Sequence, residues 1–268
     1  MADLTQEVKE LARAQGAQLV GIAPVDRFGG APKGHHPTDL LPGARSVVVI
    51  AHRYFQSVLE CDQFGTESQL IPEEELWEVQ TTVFKFLYDT ANMRMQMIGA
   101  KIAAFLEDQG YVALPLPAGG FKVGAGRYAF FSHRHAAVLA GLGEFGLNNL
   151  LMTPEYGPKV RLDSIITTAA LDPDPLYDGP PICPGEECGL CLEAHECFGE
   201  IHELEMAGKT MKLARFTGAC LDKTACKRRN PEGTLPYIRY CWGVCPVGQN
   251  GIEKGAAEQG DPPGRMRE

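Results

Sequence analysis

Eight of the nine cysteines lie in the last third of this 268-residue chain, in two groups of four. The first group reads C-PGEE-C-GL-C-LEAHE-C, from Cys183 to Cys197. The second group starts with Cys220 and Cys226 and ends with the segment 241–246, which reads C-WGV-C-P. Thiols in a cytosolic protein stay reduced, and grouped cysteines there more often bind metal than form disulfides. The pattern therefore predicts thiolate-bound metal.

The form of the second group favours iron–sulfur clusters over a single metal ion. Bacterial two-cluster ferredoxins use a C-x2-C-x2-C-x3-C-P run whose fourth cysteine binds the other cluster. The first group here is stretched, and Phe198 replaces its proline. The cross-over rule predicts two 4Fe–4S clusters, one held by Cys183, Cys188, Cys191 and Cys245 and the other by Cys197, Cys220, Cys226 and Cys241. A three-iron cluster, or zinc in one of the sites, is the alternative.

The charge of the chain bears on its partners. The formal net charge of −9 argues against a nucleic-acid partner, because affinity for phosphates comes largely from basic residues. Basic residues do gather around the second cysteine group: Lys209, Lys212, Arg215, Lys223, Lys227, Arg228, Arg229 and Arg239. They either balance anionic clusters or form a docking face for an acidic electron donor, reduced ferredoxin or flavodoxin.

The N-terminal residues form a charged amphipathic stretch with no apolar signal region. No apolar run approaches the roughly 20 residues of a membrane span. We therefore expect a cytoplasmic protein with no membrane partner.

Helical and strand patterns alternate before the cysteines, which predicts an α/β (α+β) domain. The predicted helices are 5–15, about 73–109 with a possible break near Asn92, and 132–139. The predicted strands are 19–23, 46–51, 111–114 and 160–169. His35 and His36 fall in a loop and are expected to be exposed. We predict three parts: a cofactor-binding domain at 1–175, a small two-cluster ferredoxin-like domain at 176–250, and a polar tail at 251–268.

One stretch resembles a known family. Residues 140–157, AGLGEFGLNNLLMTPEYG, precede the 160–169 strand and the cysteines, as in the epoxyqueuosine reductase and reductive dehalogenase family. Residues 41–49, LPGARSVVV, are similar to that family's segment before an early core strand. The resemblance covers roughly residues 40–248. It implies a nitroreductase-like domain that binds a corrinoid (cobalamin), to whose cobalt the clusters deliver single electrons. By position, the implied corrinoid contacts are Ala140, Gly141, Leu142, Gly143, Gly146, Asn148, Asn149, Thr153, Pro154, Glu155, Tyr156 and Gly157.

The chain departs from the epoxyqueuosine reductases at their acidic proton donor. That position falls at Arg127, in a stretch without carboxylates, and no tRNA-binding repeats follow, so epoxyqueuosine chemistry is not expected. Candidate catalytic groups for proton transfer are Tyr128, His133 and Tyr156, with Arg134 and His135 beside them.

We therefore predict a cytoplasmic corrinoid- and iron–sulfur-dependent reductase that acts on a small molecule. One alternative is an electron-transfer protein that reduces a corrinoid on another protein. The other is a flavin iron–sulfur reductase, because the nitroreductase-like fold also suits FMN.

Overall fold

The computed structural model describes residues 3–55, 70–118, 122–123, 128–193, 198–216 and 243–248. A four-stranded sheet runs through the larger part of the fold. Its strands, in spatial order, are β1 (Leu19–Pro24), β2 (Ser46–Arg53), β8 (Val160–Thr167) and β3 (Ala113–Pro115). Every neighbouring pair is antiparallel. Strand β2 is buried almost throughout, as its run of β-branched residues predicts. Helices and an antiparallel sheet together confirm a mixed α+β fold, whereas the predicted division into domains stays a prediction.

Two helices cover one face of the sheet. Helix α1 (Leu4–Ala14) is capped by Asp3, whose side chain accepts the Thr5 N–H at 3.0 Å. One short helical turn, α2 (Pro37–Leu40), follows α1 in the chain and precedes the second of these two helices. Helix α3 (Glu73–Asp108) is one continuous helix of 36 residues, so the possible break near Asn92 does not occur. Apolar residues of α1 and α3 pack with β1, β2 and β8 into one core cluster.

The other face is covered by α4 (His133–Leu139), which begins where we predicted. Ser132 caps it, because its Oγ accepts the His135 N–H at 3.4 Å. The last four residues of α4 are buried in a second core cluster. Short antiparallel pairs flank the helix: β4 (Lys122–Val123) with β5 (Tyr128–Ala129), and β6 (Glu144–Phe145) with β7 (Leu151–Met152).

A long hairpin lies in the chain between the two cysteine groups, and we did not predict it. It follows a single helical turn, α5 (Leu190–Glu193), and consists of β9 (Phe198–Met206) and β10 (Lys209–Phe216). Ala207 and Gly208 at its tip both have positive φ, as a two-residue hairpin turn requires. Met211 and Leu213 are buried in the core cluster that contains α4. The hairpin therefore packs on the same core as the sheet.

No helix in the part of the chain that the structure describes is both long enough and apolar enough to cross a membrane.

Candidate functional site

The segment 144–152, which comprises β6, the turn and β7, borders two cavities. Leu150 and Leu151 line a large cavity of about 850 Å³. Leu147 and Met152 line a small cavity together with cysteines. Leu151 and Met152 are neighbours in a strand, so their side chains point to opposite faces. This segment, which we call the dividing hairpin, is thus a wall between the two cavities.

Four cysteines line the small cavity: Cys183, Cys188, Cys191 and Cys245. These are the four residues that the cross-over rule assigns to the first cluster. Cys245 is buried and the other three are half-buried. The other predicted ligand set, Cys197, Cys220, Cys226 and Cys241, lies outside the described residues, and so does Cys61. The structure therefore brings the first ligand set together from two distant parts of the chain.

The surroundings of these thiols suit a cluster. Backbone N–H groups of Leu147 and Gly185 donate to Cys183 Sγ at 3.4 and 3.5 Å, and such donors stabilise cluster sulfurs. Burial, with the neighbouring thiols, raises the pKa of Cys191 to about 11. Metal binding would therefore have to displace protons from this group. Within the described ranges, no three Cys, His, Asp or Glu side chains converge as the ligands of one metal ion would. A cluster needs no such convergence, because each thiolate binds its own iron.

The TPEYG turn holds the segment that carries Cys245. Thr153 and Gly157 form a β-bridge, with N–H to O distances of 3.0 and 2.9 Å. Gly157 has φ +55°, and a Cβ there would lie 2.4 Å from the Val247 carbonyl oxygen. Lys159 Nζ donates to the same oxygen at 3.3 Å. The turn is thus a seat for residues 245–248.

None of the twelve implied corrinoid contacts belongs to the described lining of the large cavity. Gly141 and Gly143 have positive φ and pack against the carbonyl oxygens of Pro175 and Met152. Asn148 is buried, and its Oδ1 accepts the Leu150 N–H at 3.1 Å. These residues lie within the dividing hairpin or just before it in the chain, and they do not line the large cavity. Their contact with a corrinoid stays a prediction.

His133 lies in the lining of the large cavity. Its Nε2 is 3.2 Å from the Pro117 carbonyl oxygen, and its Nδ1 is 2.9 Å from Ser164 Oγ. A carbonyl oxygen only accepts, so Nε2 carries the proton and Nδ1 accepts the Ser164 hydroxyl proton. Burial lowers the pKa of His133 to about 4. The imidazole is therefore neutral near pH 7, with both nitrogens engaged by the protein.

Arg134 and His135 line the cavity beside it. Arg134 donates to the backbone oxygen of Asn149 and to its Oδ1, the latter at 2.6 Å. Burial lowers the pKa of Arg134 to about 10, which leaves the guanidinium charged near pH 7. His135 Nδ1 is 2.6 Å from Ser132 Oγ, and burial lowers the pKa of His135 to about 4.

The other two candidate catalytic residues are not in the described lining. The backbone of Tyr128 belongs to β5, but its side chain lies outside the described residues. Tyr156 is half-buried in the TPEYG turn, where its backbone packs against Gly248. A catalytic role for Tyr128, His133 or Tyr156 stays a prediction.

Several lining residues were not identified from the sequence. His35 is half-buried rather than exposed, and its Nδ1 is 2.9 Å from the Phe130 carbonyl oxygen. His36 is also half-buried and caps α2.

Two arginines also line the cavity: Arg27 lies in the short turn after β1, and Arg161 lies on β8. The tip of the β9–β10 hairpin adds Leu204 to Ala207. No local motif marks these residues, since their common position depends on the tertiary fold.

Asp163 is a fully buried carboxyl group on β8, next to Ser164. Its Oδ1 accepts the Ser164 N–H at 2.7 Å. Its Oδ2 has no hydrogen-bond partner among the described residues and faces Gly99 of α3. Burial raises the pKa of Asp163 to about 8.

In sequence the chain is similar to reductive dehalogenases. It is 30% identical over 196 residues to the tetrachloroethene reductive dehalogenase of Dehalobacter restrictus, a match that covers 64% of this chain and 34% of that protein. It is 35% identical over 163 residues to the enzyme of the same name from Sulfurospirillum multivorans, over 59% of this chain and 30% of that protein. The chain thus spans about a third of the curated relatives that it matches. No model of a known protein family matches it.

In fold the chain is similar to both branches of the family that it resembles. A catabolic reductive dehalogenase superposes with a TM-score of 0.59 at 19% identity, over 94% of this chain and 34% of that one. An epoxyqueuosine reductase superposes with a TM-score of 0.54 at 18% identity, over 92% and 66%. A further dehalogenase, described with a mechanism for B12-dependent dehalogenation, gives 0.55 at 19% identity, over 96% and 37%. The expected resemblance is confirmed, and these relatives are named as reductases or dehalogenases.

Proposed function

We propose that this chain is a corrinoid- and iron–sulfur-dependent reductase that acts on a small molecule. The observation that carries the proposal is the dividing hairpin, with four cysteines on one side and a large cavity on the other. A redox cofactor in the cavity would lie one layer of protein away from a cluster at the cysteines. Such proximity is what single-electron delivery to a bound cofactor needs.

The first cluster would be held by Cys183, Cys188, Cys191 and Cys245, with N–H donors from Leu147 and Gly185. The second would be held by Cys197, Cys220, Cys226 and Cys241. The proposed electron donor is reduced ferredoxin or flavodoxin. The exposed Arg215 of β10 would attract such an acidic partner, together with Lys212, whose Nζ also lies 3.1 Å from Glu186 Oε1.

The large cavity is roomy and mainly apolar. About 850 Å³ is near the upper end of the usual range for cofactor and ligand sites. Phe28, Phe131, Leu139 and Leu151 supply apolar walls, which exclude water from a bound group. A bound corrinoid would supply cobalt-centred reduction of the substrate. The similar dehalogenase described with a B12-dependent mechanism supports this choice of cofactor.

The protein's own task in this proposal is to position the reactants and to supply polar contacts. His133 is fixed by Ser164 and Pro117 in the Nε2–H form, so it presents a neutral ring to the cavity. Among the described residues, the side chain of His135 has one hydrogen-bond contact, between Nδ1 and Ser132 Oγ, and its ring packs against Phe145 at a centroid distance of 4.8 Å. His135 is therefore better placed than His133 to use its second ring nitrogen toward a bound molecule.

Cofactor analysis of the full chain, purified without oxygen, tests the proposal. We expect about eight irons per chain, as two four-iron clusters require, and a corrinoid in the extract after loading. Extracted flavin would instead support a flavin iron–sulfur reductase. Clusters without any cavity-bound cofactor would support an electron-transfer partner. Zinc in place of iron would contradict the cluster assignment.

A pair of variants sharpens the test. Cys245→Ser should lose about half of the iron, because it removes a ligand of one cluster only. Cys61→Ser, the ninth cysteine, should retain all of it. Equal iron in both variants would count against the ligand set proposed here.

A further inference from the structure

We infer that the large cavity binds the negatively charged group of a substrate, such as a carboxylate, through Arg27, Arg134 and Arg161. The inference rests on the proposed function only in treating the ligand as a substrate. The charge preference itself follows from the described lining of the cavity.

The three arginines reach one cavity from three different elements. Arg27 follows β1, Arg134 lies in α4 and Arg161 lies in β8. Glu205 is the one carboxylate in the described lining, and it is exposed near the hairpin tip, where its Oε1 accepts the Thr210 hydroxyl. Cationic groups therefore outnumber anionic ones around the described cavity.

The partners that hold Arg27 and Arg161 are uncharged: they are oxygens and, for Arg161, also the Tyr88 ring, whose centroid lies 4.7 Å from Cζ. Arg27 donates to the carbonyl oxygens of Leu139 and Asp174 at 2.7 and 2.8 Å. Arg161 donates to the Ala118 carbonyl oxygen at 2.7 Å and to Asn92 Oδ1. Neither arginine belongs to a salt bridge among the residues that the structure describes. Carbonyl oxygens orient a guanidinium without cancelling its charge.

Two histidines of the lining, His133 and His135, do not change this balance. Burial lowers the pKa values of His133 and His135 to about 4, so both rings are neutral near pH 7. Neither ring carries a charge near pH 7. These two rings therefore add nothing to the positive field of the arginines.

The positive charge of the arginines in the lining is opposite in sign to the net charge of the whole chain, which is −9. An acidic surface repels anions, whereas a cavity with low-dielectric walls focuses the field of the charges that line it. Charges interact more strongly there than in water. An anionic ligand inside the cavity therefore gains a favourable interaction that a neutral ligand of equal shape does not.

An acidic group of the cofactor, such as a phosphate, is the other possible source of the anion. Both sources share the same chemistry at the arginines. They differ in one respect: a cofactor that occupies the arginines blocks a small anion, whereas a cofactor that leaves them open does not.

Benzoate, benzamide and benzamidinium test the inference, because they have nearly the same shape and carry charges of opposite sign or none. Calorimetric titration of the cluster-loaded full chain should show benzoate binding about tenfold more tightly than benzamide, with benzamidinium weakest. Equal affinity for benzoate and benzamide, or no saturable benzoate binding, overturns the inference.

Matched variants identify the residues. Arg27→Gln should lose severalfold in benzoate affinity with little change for benzamide, and Arg27→Lys should restore most of the loss. Lys33→Gln removes the same charge from an exposed residue outside the described lining and should bind benzoate as the parent does. Melting temperatures confirm that each variant is folded. A benzoate preference unchanged in both Arg27→Gln and Arg134→Gln contradicts the assignment.

The cofactor arm repeats the titration after cobalamin loading, which the visible spectrum verifies. Retained benzoate binding supports a substrate site. Loss of benzoate binding on loading shows that the arginines serve the cofactor and overturns the substrate assignment. Failure to load cobalamin contradicts the proposed function, and it leaves the charge preference to be decided by the cofactor-free titration.

Discussion

The backbone N–H of Leu147 donates to Sγ of Cys183 at 3.4 Å. The carbonyl oxygen of Leu147 in turn accepts the Ala214 N–H at 2.9 Å, and the Ala214 carbonyl accepts Asn149 Nδ2 at 3.2 Å. Asn149 Oδ1 accepts from Arg134 at 2.6 Å. These hydrogen bonds, joined through the backbones of Leu147 and Ala214 and the side chain of Asn149, connect a cysteine of the small cavity to a cation in the wall of the large one.

This connection predicts that Arg134 affects the reduction potential of the proposed first cluster. A buried cation at the end of this chain of contacts favours the addition of an electron to an anionic cluster, so Arg134→Gln should lower the potential by on the order of 50 mV. Arg134→Lys should retain most of the parent value. A redox titration followed by electron paramagnetic resonance measures the shift without any substrate.

The control for Arg134→Gln is Lys33→Gln, which removes an exposed cation from another part of the chain. Its cluster potential should equal that of the parent protein. An intact cluster with an unchanged potential in Arg134→Gln would refute the prediction.

Gly143 should be intolerant of a side chain. Its φ is +152°, and an added Cβ would lie 1.9 Å from the Met152 carbonyl oxygen across the dividing hairpin. Gly143→Ala should therefore lower the free energy of unfolding by more than about 2 kcal/mol. Chemical denaturation measures the loss. Gly30→Ala, where the added Cβ meets nothing within 4 Å, should be close to neutral. Similar stabilities for the two variants would contradict the described geometry of the hairpin.

Asp163 should make the stability of the protein depend on pH. Burial raises its pKa from 3.8 to about 8, so between these values the folded state binds a proton that the unfolded state has released. Stability then falls as pH rises through this range, by at most about 1.4 kcal/mol per pH unit. Asp163→Asn has no proton to release and should lack this contribution to the slope.

Denaturation midpoints of the parent and of Asp163→Asn, compared at each pH, test this prediction. Effects of the clusters on stability are common to both proteins and cancel in the difference. The difference should grow in favour of Asp163→Asn as pH rises toward about 8. A difference that is constant with pH would show that Asp163 is ionised in the folded state.

Ser164 and His133 should be energetically coupled. The Ser164 hydroxyl is the donor to His133 Nδ1 at 2.9 Å, so Ser164→Ala leaves a buried acceptor without its partner. We expect a loss of about 1–3 kcal/mol in the free energy of unfolding. In a His133→Leu background the same change should cost clearly less, because the acceptor is gone. Equal costs in the two backgrounds would mean that this hydrogen bond does not form.

Local patterns were sufficient to predict several elements. The run of β-branched residues from Ser46 predicted the central strand β2, and Ser132 marked the start of α4. The cross-over rule assigned Cys183, Cys188, Cys191 and Cys245 to one ligand set, and the same four line the small cavity, whereas their binding of a cluster stays a prediction. Each of these signals resides in neighbouring residues or in a known spacing.

The β9–β10 hairpin was missed although its sequence carries a signal. Leu204 and Met206 alternate with polar residues before Ala207-Gly208, and Met211 and Leu213 alternate after it. That pattern is typical of a half-buried hairpin. Because cysteines lie on both sides of this segment, we assigned all of residues 176–250 to a two-cluster domain. The lining residues Arg27 and His35 carried no such signal, because loop residues meet a cavity only through tertiary packing.

The position of the β9–β10 hairpin has a consequence for the assembly of the proposed cofactor sites. Its strands pair with near neighbours in the chain across a two-residue turn, and contacts of this kind form early and fast. Its tip supplies part of the wall of the large cavity, and its two ends continue into the segments that carry Cys197 and Cys220. In the proposed function, iron insertion at those cysteines and completion of the cavity wall would therefore be linked through one piece of chain. Assembly of the proposed cluster and acceptance of the proposed cofactor would then be steps of a single sequence.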